Sequence, residues 1–121
     1  QSLDDKVGAL INLYAAQTSM YCDCYSALGY PTRSSCEQED AVLPAQERCL
    51  SDAFGRETGA SSEYLDCVIA LEEEYLGCMD AYLRCDDETS DSRCIDDWSV
   101  GMMGCPELPP AVDRALEDCD V

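Results

Sequence analysis

The stretch from residue 62 to residue 86 reads SEYLDCVIALEEEYLGCMDAYLRCD, and it decides the fold of this chain. At the helical rotation of 100° per residue, Cys67, Cys78 and Cys85 fall within about 20° of one line. Apolar and tyrosine side chains flank that line over an arc of about 180°, and charged side chains occupy the opposite side. The stretch therefore predicts a central, largely buried helix at about residues 62–86, tied by cysteines to other segments at three heights.

The chain has ten cysteines and no histidine in 121 residues. Thiols at this density are typical of a disulfide scaffold in an oxidising compartment. We therefore expect a secreted or extracellular protein whose signal peptide has been removed, so that the mature chain begins at Gln1. The one-residue gap between Cys22 and Cys24 suits two bridges that leave one helix end in different directions. All ten cysteines are predicted to be paired within the chain: Cys22, Cys24, Cys36, Cys49, Cys67, Cys78, Cys85, Cys94, Cys105 and Cys119.

Hairpin geometry narrows the connectivity, because cysteines at equal distances from a short turn between antiparallel helices meet. This rule predicts three bridges, Cys49–Cys67, Cys85–Cys94 and Cys24–Cys36, and leaves the other four cysteines unordered. Cys94 and Cys105 also repeat the 11-residue step between Cys67 and Cys78, a repeat too short to indicate duplication.

Helical spacing of apolar residues recurs on both sides of the central stretch. Prolines and glycines divide the chain into a long first helix that ends at Gly29, a short one that begins at Ser34, and a last helix opened by Pro109 and Pro110. No segment alternates at period two over the length of a strand. We therefore predict an all-α fold, a disulfide-crosslinked bundle of five or six helices, as a single domain over residues 1–121.

Acidic residues outnumber basic ones by 26 to 7, which gives a formal net charge of -19. This charge repels nucleic acid and anionic membrane surfaces, so we expect neither as a partner. No run of 18 apolar residues exists, so no membrane insertion is expected. The absence of histidine removes the commonest general base and zinc ligand. We therefore expect no enzyme, no cofactor and no dedicated metal site.

One acidic segment has the spacing of a calcium loop. Asp86, Glu88, Ser90 and Asp97 occupy the 1, 3, 5 and 12 positions of an EF-hand, where side-chain oxygens bind Ca²⁺. Asp91, however, stands at the position where that loop requires glycine, and Asp97 replaces the bidentate glutamate. The segment is therefore interpreted as a solvated turn between helices, with weak Ca²⁺ binding as the alternative.

Two further groups of residues have side chains that could take part in catalysis or binding. Glu72, Glu73 and Glu74 resemble the paired carboxylates of a glycosidase, but successive helical residues point in different directions and imply no cleft. Six of the seven tyrosines fall on two helical faces, one with Tyr14, Tyr21 and Tyr25 and the other with Tyr64, Tyr75 and Tyr82. We expect these tyrosines to pack between helices with their hydroxyls at the rim, or alternatively to lie exposed at a protein interface.

Five short motifs carry a family resemblance: Tyr21-Cys-Asp-Cys, Gly29-Tyr-Pro, Ser35-Cys36-Glu37, Glu47-Arg48-Cys49-Leu50 and the segment from Leu108-Pro-Pro to Cys119. Together they resemble the short Cys-rich, acidic, helical exported proteins of myxobacteria and related bacteria. The resemblance covers most of the chain. It implies an exported helical protein and names no activity.

These observations predict a non-catalytic extracellular structural or interaction protein that self-assembles into a surface structure or filament. Its partner is then a protein, including copies of itself. The alternative is a monomeric secreted binding module or effector that recognises a receptor or a cation. A closed polar surface with one concave pocket would favour the binding module, whereas a large exposed apolar patch would favour assembly.

Overall fold

The computed structural model describes residues 1–119, and all secondary structure within them is helical. The α-helices are α1 Leu3–Cys22, α2 Arg33–Glu39, α3 Pro44–Phe54, α4 Thr58–Tyr82, α5 Ser92–Met103 and α6 Pro110–Glu117, and a 3₁₀ turn, Gly55–Glu57, joins α3 to α4. The all-α class is confirmed. Four of the six α-helices, α1, α3, α4 and α5, have 20, 11, 25 and 12 residues and form the bundle, where five or six were predicted, and α2 and α6 are short helices of 7 and 8 residues attached to it. Asp120 and Val121 of the predicted 1–121 domain lie outside the described residues.

The first helix ends earlier than the sequence predicts. Ser2 caps it, since the Ser2 hydroxyl accepts a hydrogen bond of 3.1 Å from the backbone N–H of Asp5. The regular helix stops at Cys22, and a series of turns continues to Gly29, whose φ of 90° suits a residue without a side chain. Cys22 and Cys24 therefore lie where the helix passes into the turns, and their side chains diverge.

The central helix is displaced from its predicted position. It runs from Thr58 to Tyr82 rather than over residues 62–86, because Leu83 adopts an extended conformation with ψ of 128°. The Ser90 side chain then holds the next residue, accepting from the backbone N–H of Arg84 at 2.9 Å and donating to its carbonyl at 3.1 Å. Cys85 therefore lies in the turn after α4, and only Cys67 and Cys78 of the predicted cysteine line are on the helix.

Helices α1 and α5 pack against α4 in opposite senses. Near the start of α1, the Lys6 ammonium contacts Ser62 Oγ at 2.6 Å and Asp66 Oδ1 at 2.9 Å. Near its end, the Tyr21 and Tyr75 hydroxyls are 2.5 Å apart, so α1 runs parallel to α4. Two bridges hold α5 antiparallel to α4. The main core lies under these helices and is formed by Val7, Leu10, Phe54, Leu65, Val68 and Val112.

All ten cysteines form bridges within the chain: Cys22–Cys36, Cys24–Cys85, Cys49–Cys119, Cys67–Cys105 and Cys78–Cys94. The two bridges predicted to diverge from the end of the first helix are present. None of the helices formed by the described residues is long and apolar enough to cross a membrane.

The three bridges predicted from hairpin geometry, Cys49–Cys67, Cys85–Cys94 and Cys24–Cys36, are wrong. The rule fails for Cys49 because α3 packs on α1 and α6 instead of folding back on α4, which places Cys49 beside Cys119. It fails for Cys85 because that residue lies beyond the end of α4, so Cys94 bonds to Cys78. The third prediction chose the wrong one of two neighbouring cysteines, since Cys22 rather than Cys24 bonds to Cys36.

Candidate functional site

A buried carboxylate lies in the middle of α4. Leu65, Val68, Glu72, Tyr75 and Met79 follow steps of three and four residues along one face of the helix, and all five are buried. Glu72 is only 1% exposed, and its Oε1 atom has no hydrogen-bond partner among the described residues. Burial raises the pKa of Glu72 above its ordinary value, and the indole N–H of Trp98 opposes that shift. A charged carboxylate buried in this way is costly unless it is paired.

The Glu72 side chain lines a cavity of about 270 Å³ between α1, α4 and α5. Two residues of each helix form the cavity walls: Tyr14 and Gln17, Glu72 and Tyr75, and Ile95 and Trp98. Tyr14, which is 38% exposed, and the exposed Ile95 mark the mouth of the cavity. Glu72 and Tyr75 are buried and form its interior. Three aromatic rings and one carboxyl group therefore face the same small space, which we call the Glu72 cavity.

Two buried polar atoms at the Glu72 cavity, Oε1 of Glu72 and Nε1 of Trp98, form no hydrogen bond of good geometry, although the indole N–H lies near enough to the carboxylate to oppose the rise in its pKa. Buried polar groups in folded proteins are hydrogen-bonded in the great majority of cases. A buried group left unpaired costs roughly 1–3 kcal/mol, and more when it is charged. A bound group that donates to the carboxylate would remove the part of this cost that belongs to Glu72.

The Tyr75 ring is held in place by a chain of hydrogen bonds that leads away from the cavity. The Tyr21 hydroxyl donates to Asp91 Oδ2 at 2.8 Å, so the Tyr75 hydroxyl is the donor in its 2.5 Å contact with Tyr21. Burial is the main cause that raises the pKa of both phenols, and for Tyr21 the hydrogen bond that it donates to Asp91 adds to the rise. Both hydroxyls stay protonated, and Tyr75 offers its ring to the cavity.

The Glu72 carboxylate affects the pKa of Tyr14 at the mouth of the cavity. Burial and the neighbouring Glu72 carboxylate together raise the pKa of Tyr14 to about 12, with burial the larger cause. The phenol is therefore neutral over the range in which proteins work. Tyr14 adds an aromatic wall without adding charge, and Glu72 is the only ionisable carboxyl group that lines the cavity.

This set of side chains suits a cation. A positive group near an aromatic face is attracted by the ring quadrupole, by roughly 0.5–2 kcal/mol depending on how far it is desolvated. An ammonium group can also donate a hydrogen bond to Glu72 Oε1, and bonds of this charge-assisted kind are the stronger class. A glycosidase needs two carboxylates facing one cleft, whereas this cavity presents one.

The predicted calcium-loop residues do not converge. Ser90 bonds to the backbone of Arg84, and Asp97 lies within α5 beside Trp98 rather than with Asp86 and Glu88. Among residues 1–119, no three or more acidic, cysteine or histidine side chains are arranged to hold a metal ion. The segment is a turn between α4 and α5, as interpreted from the sequence.

The glutamate and tyrosine predictions divide in a similar way. Glu73 and Glu74 are exposed while Glu72 is buried, so the three carboxylates diverge as predicted. Tyr14 and Tyr75 come together at the Glu72 cavity. The others do not join it: Tyr21 bonds to Tyr75, Tyr25 follows the end of α1, Tyr64 stacks on Phe54 at 6.3 Å, and Tyr82 lies under Arg93 at 5.2 Å.

Sequence reasoning missed the Glu72 cavity, although the sequence contains its signal. Glu72 is four residues after Val68 and three before Tyr75, and so occupies a core position of the same stripe. An acid at a core position indicates a buried partner, a bound cation or a raised pKa. No family model, no curated protein and no solved structure matches the chain.

Proposed function

We propose that the protein is an exported, non-catalytic binding module that holds a small organic cation in the Glu72 cavity. The observation that carries this proposal is Glu72 Oε1, a carboxylate oxygen that is buried and unpaired in a cavity with three aromatic walls. The ligand's ammonium group donates to this oxygen, and the rings of Tyr14, Tyr75 and Trp98 surround its alkyl part.

The size of the cavity supports a small head group as the ligand. Its volume of about 270 Å³ lies just below the roughly 300–1,000 Å³ of pockets that hold drug-sized molecules. Aromatic walls favour an alkylammonium ion over a strongly hydrated inorganic cation, because the alkyl groups gain contact area and lose little hydration. The net charge of -19 raises the local concentration of any cation near the protein.

The disulfides support export as part of the proposal. Five bridges fit an oxidising compartment, where they form and persist. Two of them, Cys67–Cys105 and Cys78–Cys94, clamp α5 to α4 on either side of Trp98. The walls of the cavity are thereby preorganised, which lowers the cost of binding a ligand.

The test uses the fluorescence of Trp98, the one tryptophan of the chain and a wall of the cavity. Purified, disulfide-intact protein is titrated near pH 8 with n-butylammonium chloride, and in parallel with n-butanol and with sodium chloride. We expect a saturable change in emission with n-butylammonium alone. The Glu72→Gln variant should bind at least about tenfold more weakly, since a hydrogen bond to a charged group is worth roughly 1.5–3 kcal/mol.

Glu73→Gln is the matched control, because it removes the same charge from the neighbouring, exposed residue. Its affinity for n-butylammonium should stay within about twofold of the wild type, as expected for a screened surface charge. Equal responses to n-butanol and n-butylammonium would contradict the proposal, because the cavity would then recognise an alkyl chain. Unchanged affinity in Glu72→Gln would contradict it as well.

Self-assembly into a surface structure is the second proposed function, and it is supported by a different part of the molecule. Val100 and Met103 are 70% and 85% exposed and lie one turn apart on α5. An assembly must overcome the repulsion of subunits with a charge of -19, so salt that shortens the Debye length from about 30 Å to 8 Å should promote it.

Sedimentation at low salt, at high salt and with millimolar Ca²⁺ tests this second proposal. We expect larger species at high salt, and we expect their loss when Val100 and Met103 are both changed to serine. A monomer under every condition would overturn self-assembly and leave cation binding unaffected.

A further inference from the structure

Two open grooves lie on the surface beside the Glu72 cavity. One, of about 490 Å³, runs between α1, α2 and the loop at residues 40–42, and we call it the α2 groove. The other, of about 750 Å³, runs from the same loop to α6, and we call it the α6 groove. Asp40, Ala41 and Val42 line both grooves, and Tyr14 lines both the α2 groove and the Glu72 cavity. The three spaces therefore adjoin one another in a series from α6 to the buried carboxylate, with Tyr14 between the α2 groove and the Glu72 cavity, and we call this series the path.

The charge along this path has one sign. Five carboxylates line the two grooves, and no lysine or arginine does: Glu37, Glu39, Asp40, Asp113 and Glu117. In the described part of the chain, only Glu37 of these five takes part in an ion pair, at 2.7 Å from Arg33. The other four carboxylates are exposed and present negative charge to whatever lies in the grooves.

The floor of the path is partly apolar. Ile11, Tyr14 and Ala15 of α1 lie on one side, and Leu50 and Leu116 lie near the other end, with Val42 between them. A free alkylammonium ion or a polyamine would use the acids and leave these apolar side chains without a partner. An occupant with both cationic and apolar side chains would use both.

We propose that the natural ligand is a basic, amphipathic segment of a partner protein, which lies in the α2 and α6 grooves and inserts a lysine side chain into the Glu72 cavity. This inference rests on the proposed cation-binding function and adds the class of partner. A second copy of this chain suits the grooves poorly, because it has 7 basic residues against 26 acidic ones. Lysine fits the cavity better than arginine does, because the single unpaired carboxylate oxygen suits one ammonium donor rather than a bidentate guanidinium.

The test compares two probes on the same protein. The first is n-butylammonium, which carries the ammonium and alkyl chain of a lysine side chain. The second is a short, fluorescein-labelled peptide of alternating leucine and lysine residues, acetylated and amidated at its ends, and followed by fluorescence anisotropy. Both titrations are run at about 150 mM salt, where attraction between exposed, distant charges is largely screened. Spermidine serves as a polycation without apolar side chains.

Variants separate the grooves from the cavity. Val42→Lys places a positive charge where the two grooves meet, and Leu43→Lys places the same charge on the adjacent exposed residue, which lines neither groove. We expect the peptide to bind wild type at least tenfold more tightly than n-butylammonium or spermidine. Val42→Lys should weaken peptide binding at least tenfold and n-butylammonium binding less than twofold. Leu43→Lys should change peptide binding less than threefold, and Glu72→Gln should weaken both probes.

The other outcomes overturn the inference in distinguishable ways. If n-butylammonium binds and the peptide binds no more tightly, the grooves are not a peptide site and the proposed function stands. If the peptide binds tightly but is indifferent to both Val42→Lys and Glu72→Gln, its binding is a diffuse surface attraction. The inference then fails, and the n-butylammonium titration alone decides the proposed function. If neither probe binds, both proposals fail.

Discussion

Removing the Cys24–Cys85 bridge should cost this protein a large part of its stability. The bridge joins the turn after α1 to the turn after α4, across 61 residues of sequence. Replacing both cysteines with alanine leaves no free thiol. Packing is lost mainly at Cys24, which is buried, since Cys85 is exposed, and the larger part of the loss comes from the added freedom of the unfolded chain.

The size of the loss follows from the closed loop. The chain-entropy relation gives about 4.3 kcal/mol for a loop of 61 residues. The Cys22–Cys36 bridge remains in the variant and shortens the effective loop to about 50 residues, which reduces the value to about 4.1 kcal/mol. An unfolding entropy of about 2.1 cal/mol/K per residue converts this to a fall in Tm of about 16 °C for a chain of 121 residues.

The assay is urea unfolding followed by far-ultraviolet circular dichroism, with thermal melts as a second measurement. The free energy of unfolding should fall by about 4 kcal/mol. The slope of that free energy against urea should rise, because the unfolded variant exposes more surface than the cross-linked chain. A loss of less than about 1 kcal/mol with an unchanged slope would refute the reasoning, as would peptide mapping that fails to link Cys24 to Cys85.

Three further substitutions have defined outcomes. Glu72→Leu removes a buried, unpaired carboxylate, so near pH 8 it should raise the free energy of unfolding by about 1–3 kcal/mol. Because the native pKa of Glu72 is raised, the penalty grows as pH rises from the unfolded value of 4.5 towards the native pKa and is complete above it, so this gain should shrink towards pH 4. An equal effect in melts at both pH values would contradict the burial account. Gly101→Ala puts a methyl group against Leu71 Cδ2, so the Leu71 side chain must shift and should cancel most of the roughly 1 kcal/mol that alanine gains over glycine in a helix, whereas in a Leu71→Ala background the full gain should appear. An equal effect of Gly101→Ala on the free energy of unfolding in the wild type and in Leu71→Ala would contradict that contact. Tyr21→Phe leaves the Tyr75 hydroxyl without an acceptor and should cost about 1–2 kcal/mol in urea unfolding, whereas an unchanged free energy would show that the chain of hydrogen bonds adds nothing.

The helices followed from local chemistry, and their exact ends did not. Ser2, Gly29 and Pro110 act through capping, positive φ and a fixed φ in the first turn, so they were recognisable in the sequence. The end of α4 depends on Ser90, whose side chain holds the backbone of Arg84 from across a turn. A contact of this kind has no periodic signature and could not be predicted.

The disulfide pairs show where hairpin reasoning fails. Helices α3 and α4 are neighbours in the chain but do not pack as a hairpin, so the distance of Cys49 from the turn did not predict its disulfide partner. The two bridges that tie α5 and the turn after it to α4 did have a signal, because equal 11-residue steps along two antiparallel segments let both cysteine pairs meet: Cys67–Cys105 and Cys78–Cys94. That repeat was visible in the sequence, but it was judged only as too short to indicate duplication and was not used to pair the cysteines.

The candidate site was predictable in part. The core position of Glu72 is readable from the spacing of α4 alone. The aromatic walls were not, because Tyr14 and Trp98 reach Glu72 only through the parallel packing of α1 and the antiparallel packing of α5. The directions in which α1 and α5 pack on α4 belong to the tertiary structure, and they place a core glutamate in the wall of a cavity.

The most direct test of a cation bound against Glu72 is the ¹³C chemical shift of its side-chain carboxyl followed against pH, with the resonance assigned by its absence in Glu72→Gln. In the free protein the midpoint should lie above the ordinary 4.5 of a glutamate, because the carboxyl group is buried. With saturating n-butylammonium the midpoint should fall, because a bound cation stabilises the charged form. A midpoint that is the same with and without n-butylammonium would contradict cation binding at this carboxylate.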